Sequence, residues 1–275
     1  MTSFKIPKMK KITFFIFFMV FILRGSAQQK VVKTLPYKVP EKAILSEMSE
    51  WKLNFEDNFE KDSLNGAVWW VQEEVERDGL CYFTKRTKNV EIKEGSLVFS
   101  AYKEDFGNRS YTSGTTFFSQ KLEPNVFVEI SMRLPKGKGL WPAFWFWSGH
   151  DSIYQELDAV EFKGSKQNTF QISNHYWNEE QKKIMTHWVQ FFPTLDNGEP
   201  IDITEGFHKY AVEWTKEYVN IYMDNILINK FIEDVPQLPL NLILGLGVGG
   251  IDGKPSSKTR WPARLLIDYV KIYKK

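Results

Sequence analysis

The sequence predicts an all-β sandwich or barrel, on three observations. After residue 27 the apolar residues fall in short runs of roughly five to eight, each bounded by Gly, Asn, Asp or Pro. No long segment with a 3.6-residue apolar period occurs there. The chain of 275 residues has one cysteine, Cys81. No intramolecular disulfide can form, so a core must carry the stability, and this length suits one large all-β domain.

The elements follow in order. Lys5, Lys8, Lys10 and Lys11 precede an unbroken apolar run from Ile12 to Leu23, and Gly25-Ser26-Ala27 supplies small residues. That is the pattern of an export signal, 1–27, cleaved after Ala27. The run is shorter than the roughly 20 apolar residues that a membrane span needs. A secreted or periplasmic chain with no membrane insertion after cleavage is therefore expected. The formal charge is +2, but the first 27 residues carry five basic residues and no acidic ones. The remainder is thus mildly acidic, which argues against a nucleic-acid partner. Residues 28–49, polar with Pro36 and Pro40, read as a linker or loosely docked lead-in to a domain over 50–275. Strands are expected at Ser96–Ala101, Phe127–Arg133, Tyr210–Thr215, Val219–Met223, Asn241–Gly250 and Arg264–Tyr273, with a turn at Asp224-Asn225. Cys81, between Leu80 and Tyr82, is expected to be a small buried residue rather than a nucleophile.

Aromatic residues make up 16% of the chain, ten of them tryptophan. Flat aromatic faces suit sugar rings, although they serve cores equally well.

The segment Gln155-Glu156-Leu157-Asp158-Ala159-Val160-Glu161-Phe162 carries the chemistry. In a regular strand Glu156 and Asp158 share one face, and Glu161 points to the other. A carboxylate sent into the core without a partner is costly. One extra residue, a β-bulge at Ala159-Val160, returns Glu161 to the side of Glu156. Two glutamates so placed can bring their carboxyls to about 5–5.5 Å, the separation of a retaining glycosidase. Glu156 would then be the nucleophile, Glu161 the acid and base, and Asp158 the group that tunes Glu156. Three crowded acids cannot all ionise easily, so a proton is retained near neutral pH. The same spacing also fits a solvated strand face with ordinary acids.

The segment resembles the Glu-x-Asp-x-x-Glu motif of glycoside hydrolase family 16, which includes laminarinases, agarases and carrageenases. Similarity extends from about Trp51 to Tyr273. It includes Gly137 to Trp145, Tyr111 to Lys121, Phe207 to Trp214 with Asp224, Gly247 to Gly250, and Ile267 to Tyr273. The resemblance implies a jelly-roll β-sandwich of concanavalin A-like type with a curved substrate cleft. It also implies a glycoside hydrolase domain at 50–275. Glu156, Asp158 and Glu161 match its catalytic acids. Trp141, Trp145 and His175 match cleft positions, with Trp147 on the same side as the other tryptophans if the strand is regular through Pro142. No cofactor is required for the reaction. A structural calcium ion is implied at Gly95 and Asp268, although the acidic residue of the family near the first strand is Asn58 here. Further departures are Gln155 in place of Gly, Ser131 in place of a sugar-contacting Arg, and a charged insert from Asn178 to Lys183 at the expected cleft rim.

The expected activity is that of a monomeric, retaining endo-hydrolase of a β-linked polysaccharide, with β-1,3-glucan of the laminarin type favoured. A β-galactan substrate such as agar, porphyran or carrageenan, a transglycosylase, and a non-catalytic carbohydrate-binding sandwich are the competing expectations.

Overall fold

The computed structural model describes residues 31–36, 49–149, 153–195 and 197–275. The proposed export signal lies outside them. Among the described residues no helix is long and apolar enough to cross a membrane, and one three-residue 3-10 turn, Gly250–Asp252, interrupts the strands.

Two sheets pack face to face as a jelly-roll sandwich. The first has eight strands. In spatial order they are Val31–Pro36, Lys183–Thr194, Phe170–Asn178, Gln155–Phe162, Leu140–Trp147, Asn241–Val248, Thr115–Phe118 and Trp69–Val71. The second has eleven and includes Val126–Arg133 paired on one side with His208–Trp214 and on the other with Ala263–Lys274. Nearly all pairings are antiparallel. Val31–Pro36 is an exception: it adds in parallel to the edge strand Lys183–Thr194, with Val31 opposite Val189. Part of the lead-in is therefore docked on the sheet.

The strand expectations coincide closely with the observed elements. Val219–Met223 has the expected bounds, and Asn241–Val248 and Ala263–Lys274 differ at their ends alone. Asp224 and Asn225 both adopt positive φ, 45° and 69°. That is the backbone a two-residue hairpin turn requires, and short polar side chains tolerate it.

Alternation builds the core. Along Leu140–Trp147, Leu140, Phe144 and Phe146 are fully buried, while Trp141, Ala143, Trp145 and Trp147 are half-buried on the opposite face. Pro142 does not break this pattern. It is paired with Leu246 on the neighbouring strand. Phe144 and Phe146 join Leu157, Phe162, Phe170 and Ile172 of the same sheet and Val128, Ile130 and Met132 of the other in one apolar cluster. Each such side chain removed from water contributes about 1.5–3 kcal/mol. This burial leaves the other face of the eight-stranded sheet free to carry polar chemistry.

Candidate active site

The strand Gln155–Phe162 contains a bulge. Against Leu140–Trp147 the register runs Trp147–Glu156, Phe146–Leu157 and Trp145–Asp158, then resumes at Phe144–Val160 and Ala143–Glu161. Ala159 is the extra residue. The opposite neighbour, Phe170–Asn178, shows the same slip between Asp158 and Glu161. Ala159 and Val160 are both fully buried. The apolar pair goes inward, and Glu161 returns to the face that carries Glu156 and Asp158.

That face forms the wall of a cleft of about 240 Å³, lined by all three acids and by Trp141, Trp145 and Trp147. Trp145 and Trp147 are stacked, 6.4 Å apart at an interplanar angle of 24°. Trp141 also holds an acid: its Nε1–H donates to Glu161 Oε1 at 3.2 Å. Ser173 Oγ lies 3.5 Å from the other oxygen of Glu161.

His175 pairs with Glu156 across the strands. Its Nε2 lies 3.1 Å from Asp158 Oδ2 and 3.9 Å from Glu156 Oε1, and Nδ1 is 2.7 Å from Thr186 Oγ1. Glu156, Asp158 and His175 each place a donor atom within 4.8 Å of the others. His175 thus sits against the acids, on the same face of the sheet as Glu156. Tyr154 donates its hydroxyl to Glu156 Oε2.

Crowding and burial govern the protonation of the trio. Burial, reinforced by the charge of Asp158, pushes Glu156 up to about 8, with His175 and the Tyr154 hydrogen bond opposing. Burial and then the charge of Glu161 push Asp158 well above the carboxylate range. Burial also raises Glu161, against His175, Trp141, Ser173 and Lys163. Carboxyls that repel one another out of water titrate as a set, and the set keeps a proton at neutral pH. One acid can be ionised while another still has a proton to give. That is the condition for attack and leaving-group protonation on a single face.

Other expected positions fall elsewhere. Ser131 lies in the second sheet, paired with Lys209 and Tyr269, and is buried there. It is remote from the cleft strand, so its departure from Arg does not bear on sugar contact. Gln155 ties down a loop: its Oε1 accepts from Gln237 N and Leu238 N, each at 3.0 Å. Asn178 and Lys183 are the ends of a hairpin. Gly95, with φ of 72°, occupies the turn before Ser96–Phe106. Asp268 follows Ile267, which pairs with Leu97, so the two residues share one end of the second sheet. Among the described residues Asp268 belongs to no group of three or more Asp, Glu, His or Cys side chains close enough to share an ion. Asn58 is hydrogen-bonded to Glu56 instead. Calcium takes six to eight oxygen ligands. One carboxylate and a backbone carbonyl would need more backbone and water to complete that shell.

The cleft also uses residues that sequence patterns did not single out. Gln72, Glu74, Glu76, Arg77 and Asp78 fold over it, and Gly245 joins Thr115, Phe117 and Gly247, which lie within the blocks similar to the family, in its floor. The stretch from Gln72 to Asp78 is charged and resembles any solvated loop. Gly245 is legible in the sequence only as part of a strand.

Comparisons with known proteins fit this geometry. The family model described as "Glycosyl hydrolases family 16" matches residues 79–271. An "Endo-1,3-1,4-beta-glycanase ExsH" from Rhizobium meliloti (strain 1021) is 30% identical over 177 residues, covering 63% of this chain and 36% of that protein. A "Beta-glucanase" from Rhodothermus marinus is 27% identical over 256 residues, covering 82% of this chain and 85% of its own. Among solved structures, the endo-beta-1,3-glucanase from Pyrococcus furiosus superposes with a TM-score of 0.69 at 28% identity, covering 82% of this chain and 94% of that one. The chain thus spans little more than a third of the Rhizobium protein and most of the other two.

Proposed function

The chain belongs to glycosyl hydrolases family 16, and from that premise we propose that it is an exported, retaining endo-hydrolase of a β-1,3-linked glucan. The observation that carries the proposal is the bulge at Ala159, which sets Glu156, Asp158 and Glu161 on one cleft face.

The mechanism follows from that placement. An ionised Glu156 attacks the anomeric carbon as the glycosidic bond breaks. Glu161 gives its proton to the departing oxygen, so the leaving sugar departs neutral. Glu161, now a carboxylate, takes a proton from a water molecule. That water attacks the same carbon and releases Glu156, and Glu161 is protonated again. Two displacements restore the original configuration. Tyr154 holds Glu156 in place by its hydroxyl, and the Trp141 indole orients Glu161. Asp158, with His175 at 3.1 Å, adjusts the charge around both. Trp145 and Trp147 offer flat faces for sugar stacking.

The choice of a glucan is supported by relatives named as glucanases, including the Rhodothermus and Pyrococcus proteins. Internal cleavage is supported by the relatives named as endo-acting, the Rhizobium and Pyrococcus proteins. Purified protein assayed on laminarin, lichenan, agarose and carrageenan tests the reading. Release of mixed oligosaccharides from laminarin is expected. Cleavage of galactans alone would overturn the choice of glucan, and cleavage of none would overturn the hydrolase. Export predicts a mature N-terminus near Gln28, read by intact mass, and retention of residues 1–27 on the exported product would overturn it.

A further inference from the structure

One buried carboxyl in the cleft has no part in this mechanism. Glu76 lines the cleft with Trp141 and the three acids, yet only 8% of it is exposed. Its Oε2 accepts from the Cys81 thiol at 2.9 Å and from Val248 N at 3.2 Å. A Cβ at Gly79 would fall 1.8 Å from Oε2, and one at Gly247 would fall 2.2 Å from Oε1. Two glycines therefore clear the space that this carboxyl occupies, on the face of the strand Asn241–Val248 that forms the cleft floor.

Its position along the cleft is fixed by register. Gly247 pairs with Trp141, whose indole holds Glu161. The carboxyl thus lies over the strand next to Trp141 and two strands from the acids. That spacing is about 10 Å, so a chain crossing the acids would pass over Glu76 with a neighbouring sugar.

A latch that pins the Gln72–Asp78 loop to the strand would need hydrogen bonds but no carboxyl. Burying a carboxyl is costly when its acceptor sites are not filled. A carboxylate offers about four such sites, and the thiol and the Val248 amide fill two of them, with the Cys81 backbone a further partner. Burial pushes this group up to about 7, and Asp78 adds to the rise. Near neutral pH it can both donate to and accept from a hydroxyl. The Arg109 guanidinium is held by the backbone carbonyl of Glu76, at 3.4 Å.

We propose that Glu76 is a specificity-determining residue whose carboxyl hydrogen-bonds a hydroxyl of the sugar adjoining the one that is attacked. This rests on the glucanase reading above.

The test measures binding rather than turnover, in the full chain carrying Glu156→Gln. Tryptophan fluorescence is titrated with laminari-oligosaccharides of increasing length and with agaro-oligosaccharides. Glu76→Gln can keep its oxygen toward Cys81 and Val248 while an NH₂ replaces the atom facing the cleft. It should weaken binding about tenfold for oligosaccharides long enough to reach it, the scale of one lost hydrogen bond. The shortest ligands and the melting temperature should be unaffected. Glu76→Ala should show the same length dependence, and serves if the amide fails to fold. Cys81→Ala removes the thiol and keeps the carboxyl, so it should lower the melting temperature and leave affinities within about twofold. Unchanged affinities in both Glu76 variants, or an equal loss at every length accompanied by lowered stability, would overturn the proposal. The glucanase reading fails separately, when the unaltered protein cleaves no glucan. Absence of all oligosaccharide binding would overturn both.

Discussion

Two acidic centres of this protein are equally buried and are built in opposite ways. Asp158 is 2% exposed on the cleft sheet and Glu213 is 4% exposed on the outer sheet. Glu213 is surrounded by donors: Tyr218 Oη at 2.8 Å, Asn220 Nδ2 at 2.9 Å and Tyr222 Oη at 2.7 Å. Asp158 is surrounded by Glu156, Glu161 and His175. Burial alone therefore says little about function. A carboxyl among donors is a fastening for the fold. A carboxyl among acids holds protons that the fold does not need, and a reaction can use them.

Exchange at the two centres should separate these roles. Glu156→Gln is expected to abolish turnover and leave a folded protein that still binds oligosaccharide. Glu213→Ala should leave turnover measurable and lower stability by about 1–3 kcal/mol, because three donors lose their acceptor. Denaturant melts and glucan assays on both variants check this. Loss of activity in a stable Glu213→Ala protein would erase the distinction.

Within the cleft, Glu161→Ala should slow cleavage of the natural polysaccharide by about 10²- to 10⁴-fold. Aryl glycosides, whose leaving groups need little protonation, should suffer much less. Equal losses on both substrates would remove Glu161 from the acid role.

The trio should also be visible in stability against pH. Glu156 moves from an ordinary 4.5 to about 8 in the folded protein, so the folded state binds its proton more tightly than the unfolded chain. That contribution is fully present below 4.5 and is lost as pH rises toward about 8. Glu156→Gln should therefore melt increasingly above the unaltered protein as pH rises through this window, with little difference in acid. A constant difference in melting temperature would show that Glu156 is not proton-linked to folding.

The smallest effect is expected far from the cleft. We propose a structural calcium ion at Gly95 and Asp268. Added calcium should raise the melting temperature modestly, by linkage, and chelator should reverse it. No change in either direction rejects the ion. Catalysis should not respond except through stability.

Much of this was legible in the sequence because its signals are local. Parity alone required a bulge between Asp158 and Glu161, since otherwise a carboxyl would enter the core. The alternation of Trp141, Trp145 and Trp147 with Phe144 and Phe146 gave both faces of their strand. What could not be read depends on residues distant in the chain. Glu76 reaches the cleft because its loop folds over Gly247, more than 150 residues away. The parallel pairing of Val31–Pro36 with Lys183–Thr194 leaves no local mark either. Ser131 shows the same limit: similarity in sequence order puts it at the sugar, whereas the second sheet carries its strand.

The central claim is that Glu156 and Glu161 act from one bulged strand by double displacement. Proton NMR of the products in the first moments of glucan cleavage tests it most directly, before the anomers equilibrate. The account predicts that the β-anomer of the new reducing end forms first and the α-anomer grows in later. A first-formed α-anomer would contradict it, because a single displacement by water needs carboxyls set farther apart, roughly 6.5–9.5 Å.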